Sequence, residues 1–176
     1  QGIILNLAAF NGLAMENMTR GPGWRFLDSG RRLERGFSMT TLMPAAAFVS
    51  GSPTPLLEMI LDIADSGMTH RQRYFARARW PEVVEMLVRD VSNPRALAFQ
   101  LFALRTHLDA LQSEFRVGVD DRWSALIEGI QGRLLSAEFG REVPKHEGFD
   151  VHTLIALMET CTQGLAGLSD DLTQRY

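Results

Sequence analysis

The amino-acid sequence predicts an all-α fold, a bundle of six or seven helices forming a single domain over residues 1–176. Three observations carry that prediction. Every long periodic segment places its apolar residues at the 3.6-residue spacing of a helix face, and none at the two-residue spacing of a strand. Thr54-Pro55 and Asn93-Pro94 each set a cap residue before a proline, whose missing N–H costs nothing in the first helical turn. No convincing strand or hairpin signal competes with them.

The elements follow in order. From Ile3 to about Arg20, Ile4, Leu7, Asn11, Ala14 and Met18 share one side of a helix, and Glu16 and Arg20 form an i, i+4 pair. A glycine inside a helix costs about 1 kcal/mol relative to alanine, so Gly12 and Gly30 predict close helix–helix contact. Gly21, Pro22 and Gly23 break the chain and let the next helix turn back on its predecessor. That helix is the most densely charged stretch. Phe26, Gly30, Leu33 and Phe37 make its packing stripe; Asp28, Arg31 and Arg35 fall opposite, with Arg32 and Glu34 flanking, so that Asp28 can meet Arg31 or Arg32. Two readings stand here, a solvated salt-bridged face or a buried arginine–carboxylate network.

After Thr41 the run MPAAAFVSGSP reads as a loop. A helix then begins at Thr54, with Leu57, Ile60, Leu61, Ala64, Met68, Arg71 and Phe75 as one stripe. Pro81 opens a short helix to about Asp90. Asn93 caps a longer one to about Val117, with Leu97, Leu101, Leu104 and Leu108 on its core side and Gln100 and His107 sharing a flank. A helix is expected from Asp121 through Arg141. Asp150 caps the last, whose stripe is Val151, Leu154, Met158, Cys161, Leu165, Leu168 and Leu172.

Composition narrows the function. Apolar residues make up 45% and charged residues 22%, the proportions of a soluble globular chain. Formal net charge is −3, although residues 1–40 hold five Arg against three acids. Net acidity argues against nucleic-acid binding. Arg71, Arg73, Arg77 and Arg79 beside Tyr74, Phe75 and Trp80 form a basic-aromatic run, for which neutralising carbonyls at a helix C-terminus is the simpler reading. The longest apolar runs fall far short of the roughly 20 residues of a membrane span, and a cytoplasmic protein is expected. The one cysteine, Cys161, reads as packing. Of 18 basic residues only Lys145 is lysine, which fits bidentate anion recognition and equally a GC-rich genome.

Catalytic signatures are absent from the sequence. The segment His146 to His152, HEGFDVH, gathers possible metal ligands but lacks the i, i+4 histidine spacing of a zinc helix, and no metal site is expected. No Gly-x-Ser-x-Gly elbow, P-loop or dinucleotide fingerprint occurs.

The run LAAFNGLAMENMTRGPGWRFLDSGRRLERG, followed by LLEMILDIADSGMTHRQRY and NPRALAFQL, resembles the alpha-E domain family, an all-helical bacterial family. The motifs match in order over about the first 100 residues. Full members carry an earlier half opening on a related Gly-Arg-Tyr-x-Glu-Arg helix, so the resemblance implies the C-terminal portion of such a protein. It implies that the matched Glu16, Arg20, Trp24, Arg25, Asp28, Arg31, Arg32, Arg35, Asp65, Arg71, Arg73, Tyr74, Asn93 and Arg95 are ligand-binding candidates. If their helix faces meet, Arg31, Arg35 and Arg71 line one concavity, partly neutralised by Glu16, Asp28 and Asp65. Alpha-E proteins accompany ATP-grasp and transglutaminase-like proteins. The resemblance therefore implies an accessory or substrate-binding component of a peptide or amide-bond modification system, with those proteins as partners and self-association possible. An enzyme acting on a phosphorylated or acyl intermediate, with Glu16 or Glu34 as general base, is a second reading; a structural interaction module is a third. The cofactor is unknown.

Overall fold

A computed structural model describes residues 2–47, 54–115, 122–137 and 149–175. These form eight α-helices and one π-helical turn: α1 (Gly2–Asn17), α2 (Pro22–Ala47), α3 (Thr54–Ile63), α4 (Gly67–Tyr74), α5 (Trp80–Val84) running into the π turn Glu85–Arg89, α6 (Leu97–Phe115), α7 (Arg122–Ser136) and α8 (Val151–Arg175). No strand occurs among the described residues. The fold is all-α.

The charged helix α2 is central, packed along α6 on one side and α8 on another, with α7 closing against both of them. Its buried line runs through Asp28, Ser29, Leu33, Met39, Thr40, Met43 and Ala46. Asp28 is therefore not on a solvated face opposite the packing stripe, as expected, but inside it. Gly30 points outward while Phe26 and Phe37 are only half-buried. Leu97, Leu101, Leu104 and Leu108 of α6, and Leu154, Met158, Cys161, Leu165 and Leu168 of α8, fill the core on the faces expected of them. Each such side chain contributes about 1.5–3 kcal/mol of burial.

Four local expectations are corrected. First, α1 ends at Asn17, where Arg20 Nη2 donates to the Met15 carbonyl at 2.6 Å. Arg20 is thus spent on capping the helix rather than pairing with Glu16 one turn back. Second, α2 does not stop at Thr41. It runs through Pro44 to Ala47, because buried Met43 and Ala46 hold the extra turn against the core.

Third, the helix expected over residues 54–75 is two helices. Asp65 adopts a left-handed conformation (φ 49°) while its N–H bonds the Asp62 carbonyl and that of Ser66 the Leu61 carbonyl, a Schellman ending that Asp tolerates better than most residues. Beyond the break the stripe is lost, leaving Met68 68% and Phe75 89% exposed. Fourth, Gly12 and Gly30 face open space, whereas a Cβ on Gly36 would lie 2.8 Å from Leu165 Cδ1, and one on Gly164 would meet Ile130. Those two glycines are where helices approach closely.

The Asn93 side chain works before the helix rather than at its first turn. It accepts the Arg95 N–H at 3.0 Å and donates to the Met86 carbonyl at 2.8 Å, and α6 begins at Leu97. Asp150 does cap α8, accepting the Thr153 N–H at 3.1 Å. The rest of the loop from residue 48 to 53, the helix ends expected at Val117, Asp121 and Arg141, and the metal candidates His146 and Glu147 lie outside the described residues.

Candidate functional site

The first half of α2 meets α6 around a buried polar centre. Asp28, 3% exposed, accepts hydrogen bonds from Arg32 Nε (3.0 Å) and Nη2 (3.1 Å), one turn further along the same helix, and from His107 Nε2 (2.7 Å) across on α6. Arg32 Nη1 also donates to Gln100 Oε1 at 3.3 Å, and the Gln100 amide donates to the carbonyls of Pro94 and Ala96. Burial raises the Asp28 pKa, but the hydrogen bonds and positive charge of His107 and Arg32 outweigh it and bring it down to about 2. Trp24 meets the His107 ring edge-on at 5.0 Å and carries the Arg20 guanidinium on its own face at 4.2 Å. This is the buried network, in preference to the solvated face.

Four side-chain atoms of neighbouring α2 residues and His107 are buried without a hydrogen-bond partner among the described residues: Trp24 Nε1, Arg25 Nε, Ser29 Oγ and His107 Nδ1. Buried polar atoms are normally satisfied. Three of them fall on residues 24–29 at the start of α2, and the fourth is on the facing histidine.

Two turns beyond Asp28, the arrangement opens to solvent. Arg35, Asp65 and Arg95 line a cavity of about 150 Å³ with Ser38, Met39 and Leu42. Arg95 Nη2 donates to Asp65 Oδ2 at 2.7 Å, and the Asp65 carboxylate is largely in water. Arg35 has no ion pair or side-chain hydrogen bond among the described residues. Burial lowers its pKa, and the nearby guanidiniums of Arg32, Arg95 and Arg31 lower it further against the opposing pull of Asp28. Arg32 is thus paired with Asp28 and Arg95 with Asp65, leaving Arg35 as donor capacity without an acceptor among the described residues.

The other sequence candidates are dispersed. Arg31 turns toward α1, donating to Asn11 Oδ1 at 2.7 Å. Arg73 is held by Asp90 at 2.7 Å, an acceptor that also takes the Ser92 N–H and hydroxyl. Tyr74 packs on His70, with ring centres 5.1 Å apart. Arg71 lines a different cavity from Arg35, with Glu58, Asp62 and Arg77, so Arg31, Arg35 and Arg71 do not share one concavity. The break at Asp65 redirects α4 and carries Arg71 with it. Glu16 and Glu34 are both exposed, and neither joins an ion pair among the described residues. Sequence reasoning did not include Gln100 and His107 among the site residues. Their signal was a pair of polar residues two turns apart on one flank of an otherwise leucine-lined helix.

A family model for "a predicted alpha-helical domain with a conserved ER motif" matches residues 1–176, the whole chain. The chain belongs to the Alpha-E family. Within this Alpha-E chain the Glu-Arg sequence occurs once, at Glu34-Arg35. Its arginine is the uncommitted guanidinium of the cavity described above. Over 111 residues the chain is 31% identical to an uncharacterized protein of Mycobacterium bovis and to uncharacterized proteins from two strains of Mycobacterium tuberculosis. The match covers 61% of this chain and 13% of each relative, so the chain spans a small part of their length. No solved structure matches. No described helix is long and apolar enough to cross a membrane, and no three His, Cys, Asp or Glu side chains among the described residues converge on a metal position.

Proposed function

We propose that this Alpha-E chain is the anion-binding helical component of a larger peptide or amide-bond modification system. In this reading it works beside ATP-grasp or transglutaminase-like partners in the cytoplasm. The observation that carries the binding half is Arg35, a guanidinium without an acceptor among the described residues that lines a cavity with Arg95. A planar fork of donors facing water beside a second arginine suits a carboxylate or phosphate oxygen pair. The Arg95–Asp65 bridge is exposed and worth little on its own, so a ligand can take it over at small cost.

The component half of the reading draws on α1. Its large apolar side chains, from Ile3 to Met15, are 38–77% exposed, and a helix apolar all round belongs in an interior. Arg31 ties it to α2 through Asn11 but leaves those side chains without cover from the described elements. Docking against a partner, or against a second copy, would bury them. The catalytic reading gains no comparable support, because Glu16 and Glu34 stand apart from the buried centre.

Isothermal titration with inorganic phosphate, ADP and an acidic dipeptide tests the binding half. At least one should bind the wild type, and Arg35→Ala should weaken it about tenfold, the worth of one charge-assisted hydrogen bond, with an unchanged melting temperature. Absence of binding by all three probes would leave a structural role for the cluster.

A further inference from the structure

A second, larger cavity of about 500 Å³ lies between α3, α4 and the segment leading into α5. Its rim carries two carboxylates, Glu58 and Asp62, one turn apart on α3, and two guanidiniums, Arg71 and Arg77. None of the four makes an ion pair or side-chain hydrogen bond among the described residues. Opposite charges so close usually neutralise one another, and here they stay apart around an open space. Gly67 contributes to that space. A Cβ there would lie 2.6 Å from Asp62 Oδ1 and 3.7 Å from Arg71 Nη1, so any side chain would crowd the carboxylate out of its position.

His70 lines the same cavity. It is 2% exposed, and its Nε2 has no hydrogen-bond partner among the described residues. Burial lowers its pKa, so near neutral pH it is a neutral ring with an unused polar nitrogen. Leu61 and Ala78 supply buried apolar wall. Phe75 stands 89% exposed at the edge, in a left-handed conformation (φ 50°) that is unusual for a bulky residue.

We propose that this cavity binds a small zwitterion, an apolar α-amino acid or short peptide, with its ammonium on Glu58 and Asp62 and its carboxylate on Arg71 and Arg77. A simple anion would face two carboxylates and a simple cation two guanidiniums; only a ligand carrying both signs satisfies all four. The apolar wall and the Phe75 ring receive the side chain, and the volume is ample for one or two residues. The inference rests on this cavity alone. It stands or falls independently of the Arg35 site.

The test is calorimetric titration of the protein with L-leucine, dileucine, N-acetyl-leucine and leucine amide. Leucine or dileucine should bind, and whichever is tighter identifies the free amino acid or the peptide as ligand. Blocking the amine or the carboxylate should weaken binding at least tenfold. Asp62→Asn should erase the penalty for N-acetylation, and Arg71→Gln the penalty for amidation, while Gly67→Ala should weaken every probe. Both charge variants alter exposed side chains and should melt with the wild type. Equal affinity for all four probes, or none for any, overturns the proposal.

Discussion

Asp28 accepts three hydrogen bonds and neutralises the Arg32 guanidinium, and it is the residue on which the α2–α6 interface turns. Replacing it with Asn removes the charge that Arg32 and His107 were buried against, and stranding a buried ionic partner costs about 3–5 kcal/mol. Asp28→Asn should therefore lower the urea midpoint sharply. The folded-state pKa of about 2 lies below the ordinary 3.8, so the unfolded chain binds the proton more readily. This stabilisation is complete above pH 4, is lost as pH falls through about 2, and amounts to about 2 kcal/mol. Urea titrations at stepped pH should show wild type losing more stability than Asp28→Asn over that window. His70 has its pKa lowered by burial, so its neutral form is the one that folding favours. Its contribution is present above the ordinary value of 6.5 and is lost as pH falls below it. The sequence revealed which side chains were charged but not which were buried. Asp28 and Arg31 lie three residues apart on one helix, and only the packing of α6 decides that the first is enclosed and the second is not.

Helix existence was legible element by element; helix continuity was not. The leucine stripe of α6 and the apolar stripe of α8 bury as their 3.6-residue spacing requires, because no special backbone geometry interrupts them. Residues 54–75 carry an equally good stripe. There the ending of α3 depends on one aspartate taking a left-handed conformation, which propensity does not foretell. The loop expected after Thr41 erred in the opposite direction, since tertiary burial of Met43 and Ala46 keeps α2 helical to Ala47. The glycines supply a matched pair of tests. Gly36→Val forces a side chain into Leu165, and overpacking of this kind costs about 1–3 kcal/mol; its melting temperature should fall. Gly12→Ala meets open space and gains about 1 kcal/mol of helix propensity, so far-ultraviolet circular dichroism should show helical content held or raised.

At the scale of the molecule, α2 organises two surfaces of opposite character. Its buried side locks Asp28 between α6 and itself, while Arg35 reaches the solvent two turns away beside Arg95 and Asp65. The apolar α1 projects where the other described helices do not cover it, and soluble monomers seldom leave more than a few hundred Å² of apolar patch in water. Sedimentation velocity should show association that rises with concentration and is abolished by Leu7→Glu with Phe10→Glu. A clean monomer at high concentration would refute a sticky α1. The central claim concerns Arg35, and nuclear magnetic resonance of the arginine Nε–Hε groups tests it most directly during a titration with inorganic phosphate at constant ionic strength. The resonances of Arg35 and Arg95 should move together along one saturating curve while those of Arg79 and Arg133 stay in place. Shifts spread evenly over all the arginines, or an Arg35 resonance that does not respond, would contradict the account.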